Sequence, residues 1–85
     1  MKSLTAPKFW TAYQSLPPEV KAQARKAYRL WLNNPRHPSL RFGPKGDYWS
    51  IRVTHGWRAL AREHQGILYW FWIGPHDEYE RLLKS

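Results

Sequence analysis

Two arginines six positions apart, Arg52 and Arg58, flank the segment Thr54-His55-Gly56. If that segment is a tight turn between two strands, the guanidinium groups come together, and the register decides how. A two-residue loop, His55-Gly56, would pair Thr54 with Trp57 and set Arg58 opposite Val53, mixing charge and core on both faces. A three-residue loop, Thr54-His55-Gly56, with glycine in the left-handed conformation and a bulge, pairs Val53 with Trp57 instead. Ile51 then opposes Ala59 and Trp49 opposes Ala61, which gives one clean apolar face. Because a slip of one residue turns every side chain over, the clean register is the expected one. It sets Arg52 directly across from Arg58, with Tyr48, Ser50 and Arg62 on the same face. Like charges so opposed cost a sheet about 0.2–1 kcal/mol. A polyanion would offset that cost; the alternative is an open face that merely solvates its arginines.

The same loop logic at His64-Gln65-Gly66 pairs Arg58 with Trp72 and Leu60 with Trp70, so aromatic rings flank the guanidinium groups. Those two tryptophans are covered either by bases or by the chain's last helix.

Helices and strands must hold this hairpin in place. Thr5 and Pro7 read as a helix start, with Phe9, Trp10, Tyr13 and Leu16 as its apolar stripe. Pro17-Pro18-Glu19 opens a longer helix to about Asn33, in which Val20, Ala24, Ala27 and Trp31 share one face. Lys21, Arg25 and Arg29 form a basic stripe on another, and such a stripe is most often a solvated face. Asn33-Asn34-Pro35 ends the helix. The period then changes to two over residues 48–54, and residues 57–63 and 67–73 read as further strands. A shorter strand is expected over residues 39–43. Pro75 starts a terminal helix whose early acids, Asp77, Glu78 and Glu80, suit its dipole. The fold class is α+β: a helical hairpin packed on a three- to four-stranded antiparallel sheet, with a short C-terminal helix.

Eighty-five residues make a single domain, residues 1–85. The net charge is +8, and the first 46 residues carry nine basic side chains against one acid, Glu19. Together with six tryptophans, five tyrosines and three phenylalanines, this charge suits a nucleic-acid-facing surface, although a small core also uses such rings. Cysteine is absent, which rules out disulfides and thiolate metal sites. His37, His55, His64 and His76 lack metal-ligand spacing, so no metal or other cofactor is expected. Neither a glycine-rich phosphate loop nor a Ser-His-Asp arrangement is visible. With no membrane-length apolar run and no signal-peptide pattern, a cytoplasmic protein is expected.

The stretch Tyr48-Trp-Ser-Ile-Arg-Val-Thr-His-Gly-Trp-Arg58 resembles the central hairpin of the RelE/ParE toxin superfamily of bacterial type II toxin–antitoxin systems. The ending Ile73-Gly-Pro-His-Asp-Glu-Tyr-Glu-Arg-Leu-Leu83, the Leu16-Pro17 joint and Asn34-Pro35-Arg-His-Pro-Ser-Leu40 are similar to the family's pattern in the same order. The resemblance implies a microbial-ribonuclease-like fold and an antitoxin partner in a toxin–antitoxin hetero-oligomer. It also implies one of two activities. RelE-branch members cleave messenger RNA in the ribosomal A site without a metal, using the ribose 2′-hydroxyl as nucleophile; ParE-branch members poison DNA gyrase. A non-catalytic RNA-binding module on the same fold is a third reading.

On that resemblance, Arg58 matches the arginine that holds the scissile phosphate, and Arg52 a basic residue adding charge to the same site. His76 stands where the family places a proton donor or acceptor, and Tyr79 matches a tyrosine that stacks on or orients a base. Histidine can move a proton either way near neutrality, and fixed guanidinium groups stabilise a phosphorane without reorganising. His76-Asp77 also reads simply as a helix start, and Tyr79 as a residue docked on the sheet edge. The resemblance adds Lys21, Arg25, Arg29, Lys45, Arg62 and Trp72 as RNA contacts, the helical stripe toward 16S ribosomal RNA. One departure stands out. Some ribosome-dependent members carry at position 50 a lysine that helps activate the 2′-hydroxyl, and here that residue is Ser50. The base is then His76, or Lys45 or His55 from a loop, or the activity is weak.

Overall fold

The computed structural model describes residues 2–84. The chain runs β1 (Lys2–Thr5), α1 (Pro7–Gln14), α2 (Pro18–Asn33), a 3₁₀ turn (Pro38–Leu40), β2 (Gly43–Lys45), β3 (Tyr48–Thr54), β4 (Trp57–His64), β5 (Ile67–Pro75) and α3 (His76–Lys84). Each helix of the hairpin has proline in its first turn, where the missing N–H goes unused. The sheet order is β1-β5-β4-β3-β2. Four strands are antiparallel, as expected. The fifth is β1, which pairs in parallel with β5 and occupies the positions ahead of Pro7 that read as a helix start. Four residues with a single apolar member, Leu4, offer too little alternation to signal a strand.

One face of the sheet is the main core. The helices α1 and α2 cover it, and Trp31, Leu40, Ile51, Ala59, Ala61, Leu68, Trp70 and Ile73 are buried together there. Trp31 and Trp70 meet edge to face at 5.7 Å. The opposite face is covered only in part, by α3. Buried on this face are Ser50 and Leu60 of the sheet and Tyr79 of α3 itself, at 4%, 0% and 4% exposure.

The registers carry two corrections. The β3–β4 pairing is the expected one over Trp49↔Ala61, Ile51↔Ala59 and Arg52↔Arg58. The loop is nevertheless two residues long: Thr54 pairs with Trp57, and the irregularity lies at Val53, inside the strand. Gly56 does not adopt a positive φ. A bulge in the strand thus reconciles the tight turn with the clean apolar face. Between β4 and β5 the expected register is wrong by two residues. Arg58 pairs with Gly74 and Leu60 with Trp72: an irregularity between Leu60 and Ala61 supplies one residue of the shift, and the two-residue turn closed by His64 and Ile67 the other. Gln65 and Gly66 there have φ of 52° and 80°, as a type I′ turn requires.

A second irregularity follows, since Leu60 pairs with Trp72 but Ala61 with Trp70, leaving Phe71 unpaired. Core-facing residues of β5 are accordingly Leu68, Trp70 and Ile73, and the even alternation breaks at Phe71. Trp70 therefore belongs to the core and Trp72 to the other face, not both beside the arginines. Residues 39–43 do not form the expected strand. Pro38–Leu40 coil into the 3₁₀ turn, Arg41 takes a left-handed backbone (φ 46°), and the strand starts only at Gly43.

Candidate functional site

Arg52 and Arg58 lie on the face that α3 partly covers, directly opposite one another and each half-buried. No carboxylate among the described residues is in ion-pair contact with either; Glu80 instead lies against His76, an ion pair only when the imidazole is protonated. The Arg58 side chain folds back over its own turn. Its Nη1 lies 2.8 Å from the Thr54 carbonyl oxygen, 3.0 Å from that of Trp57 and 3.1 Å from that of His55. One guanidinium nitrogen is thereby fixed by backbone. A planar group with five N–H donors keeps others for a ligand.

Burial first, then the charge of Arg52, holds the Arg58 guanidinium below the usual arginine value. Arg41 pushes the same way, while Tyr79 and Glu80 act against it. Arg41 is thus a third cation in the field of this site, and sequence reading missed it. The expected strand over residues 39–43 hid it; the only signal available was its place after the Pro38-Ser39-Leu40 turn.

The start of α3 is pinned to the same turn, because the His76 backbone N–H donates to the Gly56 carbonyl at 2.9 Å. The His76 side chain is 42% exposed, with Nε2 3.3 Å from Glu80 Oε1 and its ring 5.5 Å from that of Tyr79. Tyr79 lies 6.0 Å from the Arg58 guanidinium carbon. Its hydroxyl is 3.0 Å from Ser50 Oγ. Tyr79 is therefore enclosed and braces Arg58, rather than presenting an open ring to a base. Ser50, where a lysine was compared, is buried beneath it.

The remaining expected residues divide between two surfaces. Lys45 ends β2 opposite Tyr48, at the far end of β3 from Arg52, and His55 is exposed in the turn. Arg62 is exposed on the arginine face, its guanidinium 5.3 Å from the rings of both Tyr48 and Phe71. Trp72 is half-buried on that face, its indole over Gly74. Lys21, Arg25 and Arg29 are on α2, across the sheet from the pair. Arg25 donates to the Tyr13 hydroxyl at 2.7 Å, and Lys21 Nζ is 5.7 Å from the same ring. Among the described residues no group of three or more His, Asp or Glu side chains could hold a metal ion. No helix among them is long and apolar enough to cross a membrane.

No protein among those curated for function matches the sequence. Solved structures are similar in fold. YafQ from Escherichia coli superposes with a TM-score of 0.72 at 14% identity, over 92% of this chain and 96% of that one. The toxin of the RelB–RelE antitoxin–toxin complex from Methanococcus jannaschii gives 0.70 at 11%, over 93% and 96%. A YoeB/ParE toxin from Agrobacterium tumefaciens gives 0.64 at 24%, over 89% and 99%. The ParE-like toxin domain matches residues 18–81, from the start of α2 into α3. The chain belongs to that family, and is a toxin of the RelE/ParE superfamily.

Proposed function

We propose that this toxin is a ribosome-dependent endonuclease that cleaves messenger RNA without a metal and so stops translation. The observation that supports this most is the half-buried Arg52–Arg58 pair, opposed across two strands with no acidic partner. Their charges suit a phosphodiester whose phosphorane carries extra negative charge. In the reaction the ribose 2′-oxygen forms a bond to phosphorus as its proton passes to a base. The P–O5′ bond breaks, leaving a 2′,3′-cyclic phosphate, and the 5′-oxygen takes up a proton. Of the three base candidates, His76 is tied through its backbone to the turn that carries Arg58, and His55 belongs to that turn but is exposed. Lys45 stands at the other end of β3. Tyr79 positions Arg58 from behind.

The protein works in the cytoplasm, with a cognate antitoxin as its partner. An apolar groove of about 420 Å³ between β1, α1 and α2, walled by Leu4, Trp10, Tyr13 and Tyr28 with Arg25 at its rim, suits an amphipathic antitoxin segment. The stripe Lys21, Arg25, Arg29 suits the phosphates of 16S ribosomal RNA. A second reading, gyrase inhibition without catalysis, is favoured by Ser50, whose hydroxyl is engaged by Tyr79 where a catalytic lysine would be needed. Inducible expression separates the two. Rapid translation arrest with cut transcripts supports the nuclease; filamentation with a DNA-damage response supports the gyrase inhibitor.

A further inference from the structure

The bulge in β5 does more than correct a register. It brings Phe71 onto the arginine face, where it meets Arg62 of the neighbouring strand β4 and Tyr48 of β3, one strand further on. The rings of Phe71 and Tyr48 are 5.3 Å apart, tilted by 55°. The Arg62 guanidinium lies 5.3 Å from each ring, and Lys8 Nζ is 5.3 Å from Phe71. Both rings are half-buried and both cations exposed. The neighbouring acid, Glu63, is turned to the other face, where it accepts the Trp49 indole N–H at 3.0 Å. The result is two rings and two cations with no acid among the described residues in ion-pair contact. Core packing does not call for it, since Tyr48, Arg62 and Phe71 lie outside the buried cluster.

Bulges commonly re-aim a side chain beside a functional site. A ring with a guanidinium against it offers a nucleobase a stacking surface and the adjoining phosphate a counter-charge. Arg62 follows Arg58 by four residues along β4, a separation of about 13 Å at ~3.3 Å per residue. A short stretch of extended single strand covers that distance. The half-buried Trp72, paired with Leu60, lies on the path between them.

We propose that Tyr48, Phe71, Arg62 and Lys8 form a second subsite, which stacks an unpaired base of single-stranded RNA flanking the phosphate held by Arg52 and Arg58. The subsite rests on the nuclease reading for that orientation, but base binding can be measured without cleavage. The probe is a 5′-labelled hexaadenylate, titrated with the purified full chain and followed by fluorescence anisotropy, with inorganic polyphosphate as competitor. Tyr48→Ala and Arg62→Gln should each weaken binding by about tenfold or more while leaving the circular dichroism unchanged. Arg62→Gln serves if Tyr48→Ala folds poorly. Polyphosphate should displace hexaadenylate from the Tyr48→Ala chain more readily than from the wild type.

Unchanged affinity in both variants overturns the subsite. So does polyphosphate competing equally well against both chains, since binding would then be to charge alone. If the variants keep their RNA affinity but lose the antitoxin, the face belongs to a protein partner and the proposal fails. A wild-type chain that binds hexaadenylate through these residues yet never cuts a transcript would overturn the nuclease reading and leave the subsite standing.

Discussion

Arg52 faces Arg58 directly across β3 and β4, and neither guanidinium has an ion-pair partner among the described residues. The arrangement works against folding and in favour of binding an anion. That conflict supplies a first prediction. Arg52→Gln should stabilise the protein by about 0.2–1 kcal/mol by removing the cross-strand repulsion. It should also lower cleavage by about 10²-fold, as expected when one fixed donor is lost. The pH sign agrees. Arg58 is a base whose value is depressed on folding, so its charge disfavours the folded state throughout the neutral range. Thermal melts of the two chains at neutral pH check the first half, and a destabilised Arg52→Gln would contradict it.

Arg58→Ala should abolish toxicity and leave a folded chain. It gives up the contacts to the carbonyls of Thr54, His55 and Trp57, a loss of about 1 kcal/mol for groups with access to water. Growth curves of an induced, well-expressed variant test this. Full toxicity would remove Arg58 from the mechanism.

Ser50 and Tyr79 share one buried hydrogen bond, so their removals should not add. Ser50→Ala and Tyr79→Phe are each expected to cost about 1–3 kcal/mol, since each strands the other hydroxyl. The double variant should cost less than the sum of the two. Urea denaturation of the four chains measures this, and strict additivity would show that the bond contributes nothing.

Much of this was legible in the sequence. The helical hairpin declared itself through its prolines and the four-, three- and four-residue offsets of Val20, Ala24, Ala27 and Trp31. The Arg52–Arg58 pairing followed from keeping Trp49, Ile51 and Val53 on one face. Other parts were hidden for physical reasons. Residues 67–73 read Ile-Leu-Tyr-Trp-Phe-Trp-Ile, in which no charge marks either face, so the bulge at Phe71 left no trace. The strand β1 is a short edge whose pairing depends on the distant β5. Arg41, whose charge is felt at Arg58, has a left-handed backbone that nothing in its residue type foretells.

Gly74 is expected to be intolerant of a side chain. A Cβ there would sit 2.5 Å from Trp72 Cζ2, so the indole must swing away. Gly74→Ala should cost about 1–3 kcal/mol and shift the Trp72 indole N–H resonance. An unmoved resonance with unchanged stability would show that the ring adapts without loss.

His76→Gln should slow cleavage by about 10²-fold or more, the range that a positioned proton donor or acceptor contributes. Rates of transcript cutting by the two chains measure this, and an unchanged rate would move the role to another group.

The most direct measurement is to map transcript ends in a translation extract supplied with the purified wild-type chain or the Arg52→Gln/Arg58→Ala double variant. Wild-type protein should cut ribosome-bound messenger RNA, leaving a 5′-hydroxyl on each downstream fragment, and a 2′-deoxy substitution at the cut nucleotide should block that cut. The double variant should leave transcripts intact. Equal cutting by the double variant, or cutting that ignores the missing 2′-hydroxyl, would contradict an arginine-held phosphodiester attacked from within its own ribose.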